Sequence, residues 1–400
     1  MRIAILNWSD GENDPFSFFN QQFRQQLVDL GHDVIIVPLN AALGTTMQAI
    51  QGSAPVDFVL TWQGLGSARP NATASQTLWA QLELPVVCLH GDHPCYNPPN
   101  HQPSSHHLLH VYPVAAFARD ANRLIPREWP ALFEPLPNFF QPDPAPAVFH
   151  GDFFVLPKNL TDLVDIRRAW QQRCDEATYQ LLCAGADAIE QAYRDGNTRD
   201  HHEVILDTLP SPIPELVRAG HADAATANLV FGLGRELDQV HRNLASAYVL
   251  DALPEVPIQV YGRGWDRFIA RGNPNHQFHA FGRVEQGDAQ FQSAYGILDI
   301  APHNGTLHDR TFRAMRKGAG FLVSSAWRHD EPIHQEFAGL FFSGAPGELA
   351  ARVNQVRQDP AGHRARVRMF AEVFDAVFPM ANFVDRIRHH AAARGFSLPS

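Results

Sequence analysis

The strongest constraint on this chain is the order of the first forty residues. Ile3–Trp8 is a short apolar run, which reads as a buried parallel strand. A polar loop, residues 9–14, follows it, with Pro15 at a position that suits the start of a helix. Phe16, Phe19, Phe23, Leu27 and Leu30 then recur at helical spacing, Gly31 stops the helix, and Val34–Val37 is a second apolar run. Strand, helix and strand in this order form a β-α-β unit, which builds parallel sheet. No G-x-G-x-x-G follows the first strand, so the dinucleotide fingerprint is absent there.

The pattern then repeats. Val56–Trp62, Pro85–Leu89 and Leu109–Tyr112 read as strands, with helical segments over Ala74–Leu82 and from about Phe117. Between Ile125 and Pro146 the chain is dense in proline, which marks a domain boundary. Asp152–Leu156 reads as the first strand of a second domain. Helical pattern runs from Leu163 to about Tyr193 and again over Leu216–Leu253, separated by a polar break at 195–214. Strands return at Ile258–Tyr261, Phe278–Phe281, Gly296–Ala301, Phe321–Ser325 and Gly339–Phe342, with three closing helices over Pro346–Arg357, 362–374 and Phe383–Arg394. The expected fold class is α/β: two Rossmann-like doubly wound domains facing a cleft, with a helical insertion in the second half. The expected boundaries are 1–145, 146–375 (including the helical segment 160–250) and a C-terminal helix, 376–400.

Composition excludes some functions. Against 32 basic residues stand 42 acidic ones, a net charge of −10, which argues against a general nucleic-acid binder or a protein drawn to anionic membranes. Cys88, Cys95, Cys174 and Cys183 form no C-x-x-C pair and point to thiols in a reducing compartment. No signal-peptide core opens the chain, and no apolar run approaches the roughly 20 residues of a membrane span. A cytoplasmic protein without a transmembrane segment is expected.

In open parallel sheets, ligands bind beyond the carboxyl ends of strands. The loops of interest are therefore 9–14, 63–69, 90–97, 262–266, 282–288 and 302–310. In the stretch 300–325, Thr306 can cap a helix with Asp309 completing a capping-box pair, and Gly318 ends it. Arg310 is out of place there, because a cation in the first turn opposes the helix dipole. Two explanations fit: an anion shares that helix end, or Arg310 faces solvent and pairs with Asp309. Gly262-Arg263-Gly264 offers a second cation, either beside a ligand or as an ordinary turn with a solvated arginine. His303, Asn304, Thr306, His308 and Asp309 complete this polar set. In the first domain Asp92 and His93 are candidates for a general base or a hydroxyl contact, or Asp92 caps a turn before Pro94. Asp10, Glu12 and Asp14 are rival carboxylates in the first loop.

Metal is not expected. His106, His107 and His110, His201–His202 and His389–His390 are clustered, but none has a metal-ligand spacing, and no D-x-D exists to hold Mg²⁺ or Mn²⁺. P-loop, G-x-S-x-G and kinase signatures are also missing.

The run from Ile258 to Gly262-Arg263-Gly264-Trp265, then Phe281-Gly282, then residues 300–319 with His308, Arg310, Phe312, Ala314, Met315 and Gly318, resembles the C-terminal half of GT-B glycosyltransferases. It is most similar to the bacterial CgeB-like or "glycosyl transferases group 1" branch. The resemblance covers roughly residues 228–390; in the first half only the β-α-β layout is shared. It implies a nucleotide diphosphate sugar held by the second domain and a glycan, lipid-linked glycan or protein acceptor held by the first, with no metal and no other cofactor. It also implies that Arg263 and Arg310 are the phosphate-binding cations. Related retaining enzymes carry a Glu where this chain has Arg313, which cannot accept hydrogen bonds. The ribose contact would then fall to another group such as Glu331. Two alternatives from other classes remain: a GT-B-shaped sugar-nucleotide epimerase, and a non-catalytic sugar-nucleotide or partner-binding protein.

Overall fold

The computed structural model describes residues 1–8, 15–40, 43–52, 54–71, 73, 76–102, 104–142, 151–195, 201–280, 287–300, 307–324, 332–342, 345 and 347–399. The chain forms two compact units. One comprises Met1–Gln141, Leu216–Ala227 and Asp375–Ser400; the other comprises Pro142–Glu215 and Asn228–Phe374.

The first unit is built on strands β1 (Arg2–Asn7), β2 (Asp33–Pro38), β3 (Phe58–Trp62), β4 (Val86–Leu89), β5 (Leu108–Tyr112) and β6 (Leu132–Phe133). They form one sheet in the order β2-β1-β3-β4-β5-β6, and every neighbouring pair is parallel. β3, β4 and β5 are buried along their whole length, as an apolar strand covered on both faces must be. The helix Pro15–Asp29 buries Phe23 and Leu27. Phe23 packs on Trp62, on Phe139 and, at 6.1 Å, on Phe383 of the closing helix Met380–Ala392. That helix is tied down again where Arg386 and His390 bond the Glu134 carboxylate just past β6. The last residues of the chain thus complete the core of the first unit.

The second unit carries β7 (Phe154–Pro157), β8 (Ile258–Tyr261), β9 (His276–His279), β10 (Gly296–Ile300), β11 (Phe321–Ser324) and β12 (Phe341–Phe342). Their order is β12-β11-β10-β7-β8-β9, again parallel throughout. In each sheet the chain begins on an inner strand, builds outward on one side, then returns to build on the other. The reversal falls between β1 and β3 in the first sheet and between β7 and β10 in the second, and such reversals are where ligands of this class bind. Among the described residues no helix is long and apolar enough to cross a membrane.

Several helical expectations need correction. The run Leu163–Tyr193 breaks in two, Leu163–Arg173 and Glu176–Arg194. Asp175 caps the second by accepting the Thr178 N–H at 2.9 Å, so a local side-chain bond outweighs a continuous helical pattern. The polar break at 195–214 contains the helix His201–Asp207. The segment Leu216–Leu253 is interrupted after Arg218; Gly220, at φ +72°, turns the chain before the long helix Ala224–Ala252.

Candidate active site

The second sheet's reversal point holds a buried group of charges. Lys158 is the first residue after β7, and its Nζ donates to the Ile300 carbonyl at the end of β10, 3.3 Å away. Asp299 of β10 is fully buried. It accepts from Arg310 Nη1 at 3.2 Å and from the Thr311 hydroxyl at 2.6 Å. From the long helix, Asp238 accepts from Arg242 Nε at 2.6 Å, and both act on the charge of Lys158. Among the described residues, Lys158, Arg242 and Arg310 are the cations of this group and Asp238 and Asp299 its carboxylates, with Asp309 acting on Arg310 from the following helix. Burial, helped by Arg310 and Arg242, pushes the Lys158 ammonium down to about 7, although Asp299 and Asp238 pull the other way. Sequence reading missed both Lys158 and Asp299. A signal existed for each: Asp299 interrupts an apolar strand, and Lys158 follows the apolar run of residues 153–157 directly.

Residues 262–264 pass hard against this loop. The Arg263 N–H donates to Asn159 Oδ1 at 2.9 Å, Leu160 N–H to the Arg263 carbonyl at 2.9 Å, and Trp265 Nε1 to the Lys158 carbonyl at 2.8 Å. A Cβ on Gly262 would sit 2.0 Å from the Lys158 oxygen, and one on Gly264, at φ +83°, 1.8 Å from the Leu160 oxygen. The glycines are therefore required by backbone meeting backbone, and this contact fixes where Lys158 points. The side chain of Arg263 is exposed.

The helix after β10 is Asp309–Arg316, with His308 at its N-cap; this corrects the expectation of a cap at Thr306. Thr306, His303, Asn304 and Glu331 lie outside the described residues. The expected pairing of a solvent-facing Arg310 with Asp309 is not found: its ion-pair partner is Asp299 on the neighbouring strand. Asp309 instead bonds His308 at 2.5 Å and lies 3.8 Å from Arg313. Burial alone would raise its carboxyl, but His308, Arg310 and Arg313 outweigh that and hold it well below the usual carboxylate range. Arg313 is buried, with its guanidinium 5.2 Å from the centre of the Phe291 ring. The residue without an evident role in the sequence thus braces the helix from inside.

In the first unit, the exposed loop after β4 carries Asp92, whose Oδ2 accepts from Gln63 Nε2 at 2.8 Å. His93 beside it is buried. Its Nδ1 accepts the Cys95 N–H at 3.2 Å, so the ring proton resides on Nε2 and faces Asp120 at 3.3 Å. Burial raises the Asp120 carboxyl, but His93 and Arg119 outweigh it and set it below its ordinary value. With both nitrogens engaged, His93 has no lone pair to offer a substrate, and Asp92 is the solvent-facing group of the pair. Asp10 lies outside the described residues.

No protein-family model and no curated protein matches this sequence. Solved structures do. One of T4 phage BGT in complex with its UDP-glucose substrate aligns over 98% of this chain and 99% of its own, at 12% identity and a TM-score of 0.50. Another, of T4 phage beta-glucosyltransferase, aligns over 98% and 99% at 11% identity and a TM-score of 0.51. Two parallel six-stranded sheets, each with a reversal of strand order, matched over nearly the whole length of both chains: the fold is that of the GT-B glycosyltransferases.

Proposed function

We propose that this protein is a glycosyltransferase that moves a sugar from a nucleotide diphosphate sugar to a hydroxyl of a glycan, lipid-linked glycan or protein. The observation that carries the proposal is the buried Lys158 at the reversal point of the second sheet, an ammonium crowded by Arg310 and Arg242. A buried ammonium pressed by two guanidinium groups is costly to keep charged, and a diphosphate supplies negative charge that offsets it. Lys158 and Arg310 bind the donor diphosphate and stabilise the charge that grows on it as the sugar leaves, with Arg263 as a third, solvent-facing cation. This task needs no metal. Asp92 takes the proton of the attacking acceptor hydroxyl, and Gln63 orients its carboxylate. The T4 enzyme's complex with UDP-glucose makes UDP the first nucleotide to try. The glycine-arginine-glycine-tryptophan motif at 262–265 supports membership of the CgeB-like bacterial branch. The net charge of −10 favours an acceptor other than nucleic acid.

A thermal-shift screen against UDP-, GDP-, dTDP- and CMP-sugars tests the donor class: one of them raises the melting temperature, whereas no shift with any contradicts the proposal. Arg310→Ala weakens binding of that donor by about 1.5–3 kcal/mol, the worth of a charge-assisted bond, as read by titration calorimetry. An unchanged affinity removes Arg310 from the site. Asp92→Asn lowers donor turnover by about 10²-fold and leaves donor affinity as it was. Equal losses in both would make Asp92 a structural residue.

A further inference from the structure

Three potential metal ligands converge in the first unit, away from the charges at β7 and β10. Cys88 lies in β4 and His90 two residues further on, a spacing that returns to the same face of a sheet. His110 of β5 is the register partner of Cys88. Neighbours in register project to one face, so the sheet collects all three side chains, with one ligand atom from each within 4.8 Å of the others. All three are buried. His90 Nε2 and His110 Nδ1 are 2.9 Å apart. His90 Nδ1 is buried with no partner among the described residues, as is Nε2 of the neighbouring His101, whose Nδ1 meets the Tyr112 hydroxyl at 2.6 Å.

We propose that Cys88, His90 and His110 bind a divalent transition-metal ion of the zinc class, which pins β4 to β5 beneath the loop that carries Asp92. Thiolate and imidazole are the ligands this class prefers. Zn–N bonds of about 2.0–2.1 Å in a tetrahedral site put two nitrogens about 3.3 Å apart, only a few tenths of an ångström beyond the present separation. The fourth position takes a water molecule, as in other sites with three protein ligands. Binding forms the metal–sulfur bond, breaks S–H and releases one proton to solvent. The spacing 88, 90, 110 matches no linear metal motif; the ligand set exists only once β4 and β5 are in register. The site stands independently of the donor proposal.

The test uses the full chain, stripped with a chelator and titrated with Co²⁺ and, separately, Zn²⁺. One Co²⁺ per chain is expected, with thiolate-to-cobalt charge-transfer absorption that Zn²⁺ abolishes, and Zn²⁺ is expected to raise the melting temperature. Cys88→Ser should lose the absorption. The variant with Cys95, Cys174 and Cys183 all changed to Ser, whose single thiol is Cys88, should keep it, and decides the matter where Cys88→Ser does not fold. Absence of the band in that variant, its survival in Cys88→Ser, or a melting temperature indifferent to Zn²⁺ overturns the proposal.

Discussion

Lys158→Met is expected to make the protein more stable and unable to hold its donor. Keeping an ammonium charged at pH 7 where its pKa has fallen from 10.5 to about 7 costs about 4 kcal/mol. Methionine fills similar space without a charge. Its loss of the bond to the Ile300 carbonyl returns about 1 kcal/mol, so a net gain of about 2–3 kcal/mol is expected. Asp299 keeps Arg310 and Thr311. The sign with pH follows from the depressed pKa. Below pH 7 both native and unfolded chains carry the proton, and the full cost applies. Between about 7 and 10.5 the unfolded chain binds more protons than the native one, so wild-type stability rises with pH. The advantage of Lys158→Met is therefore largest at and below neutral pH and disappears above about 10.5. Denaturant unfolding at several pH values measures it. A destabilised variant at pH 7 would mean that Lys158 is a well-paired structural cation with no charge to spare.

Gly264→Ala is expected to lower stability by about 2–5 kcal/mol. The left-handed backbone of residue 264 costs alanine about 1–2 kcal/mol. The new methyl group meets the Leu160 carbonyl at 1.8 Å, a backbone atom that cannot swing aside, which adds about 1–3 kcal/mol of overpacking. The loss should appear in chemical unfolding. In the population that remains folded, donor affinity falls as well, because the displaced loop is the one carrying Lys158. If affinity fell while stability held, the glycine would be serving the ligand and not the backbone contact.

These two residues show what was legible in the sequence. The strands were, because β3, β4, β5 and β10 are covered on both faces and so are mostly apolar. The parallel order followed from the helices between them. The glycine-arginine-glycine motif was visible, but its cause was not. Both glycines answer to the backbone of Lys158–Leu160, which is about a hundred residues away and adjacent only after β7 and β8 pair. Lys158 drew no notice, since its burial is decided by the strands on either side of β7. Arg310 drew notice for opposing a helix dipole, and the resolution was a carboxylate on the neighbouring strand. Helix ends were least legible: the caps at Asp162 and Asp175 are one or two local hydrogen bonds inside an otherwise helical composition.

The central claim is that the crowded, buried charge of Lys158 binds a diphosphate. Titration calorimetry of UDP and UDP-glucose into wild type and Lys158→Met, at pH 6 and pH 8.5, tests it most directly. Wild type should bind more tightly at pH 6, where Lys158 is protonated, and lose affinity at pH 8.5; Lys158→Met should bind at least tenfold more weakly at pH 6 and show little of that pH dependence. Equal affinities for the two proteins at both pH values would contradict the claim.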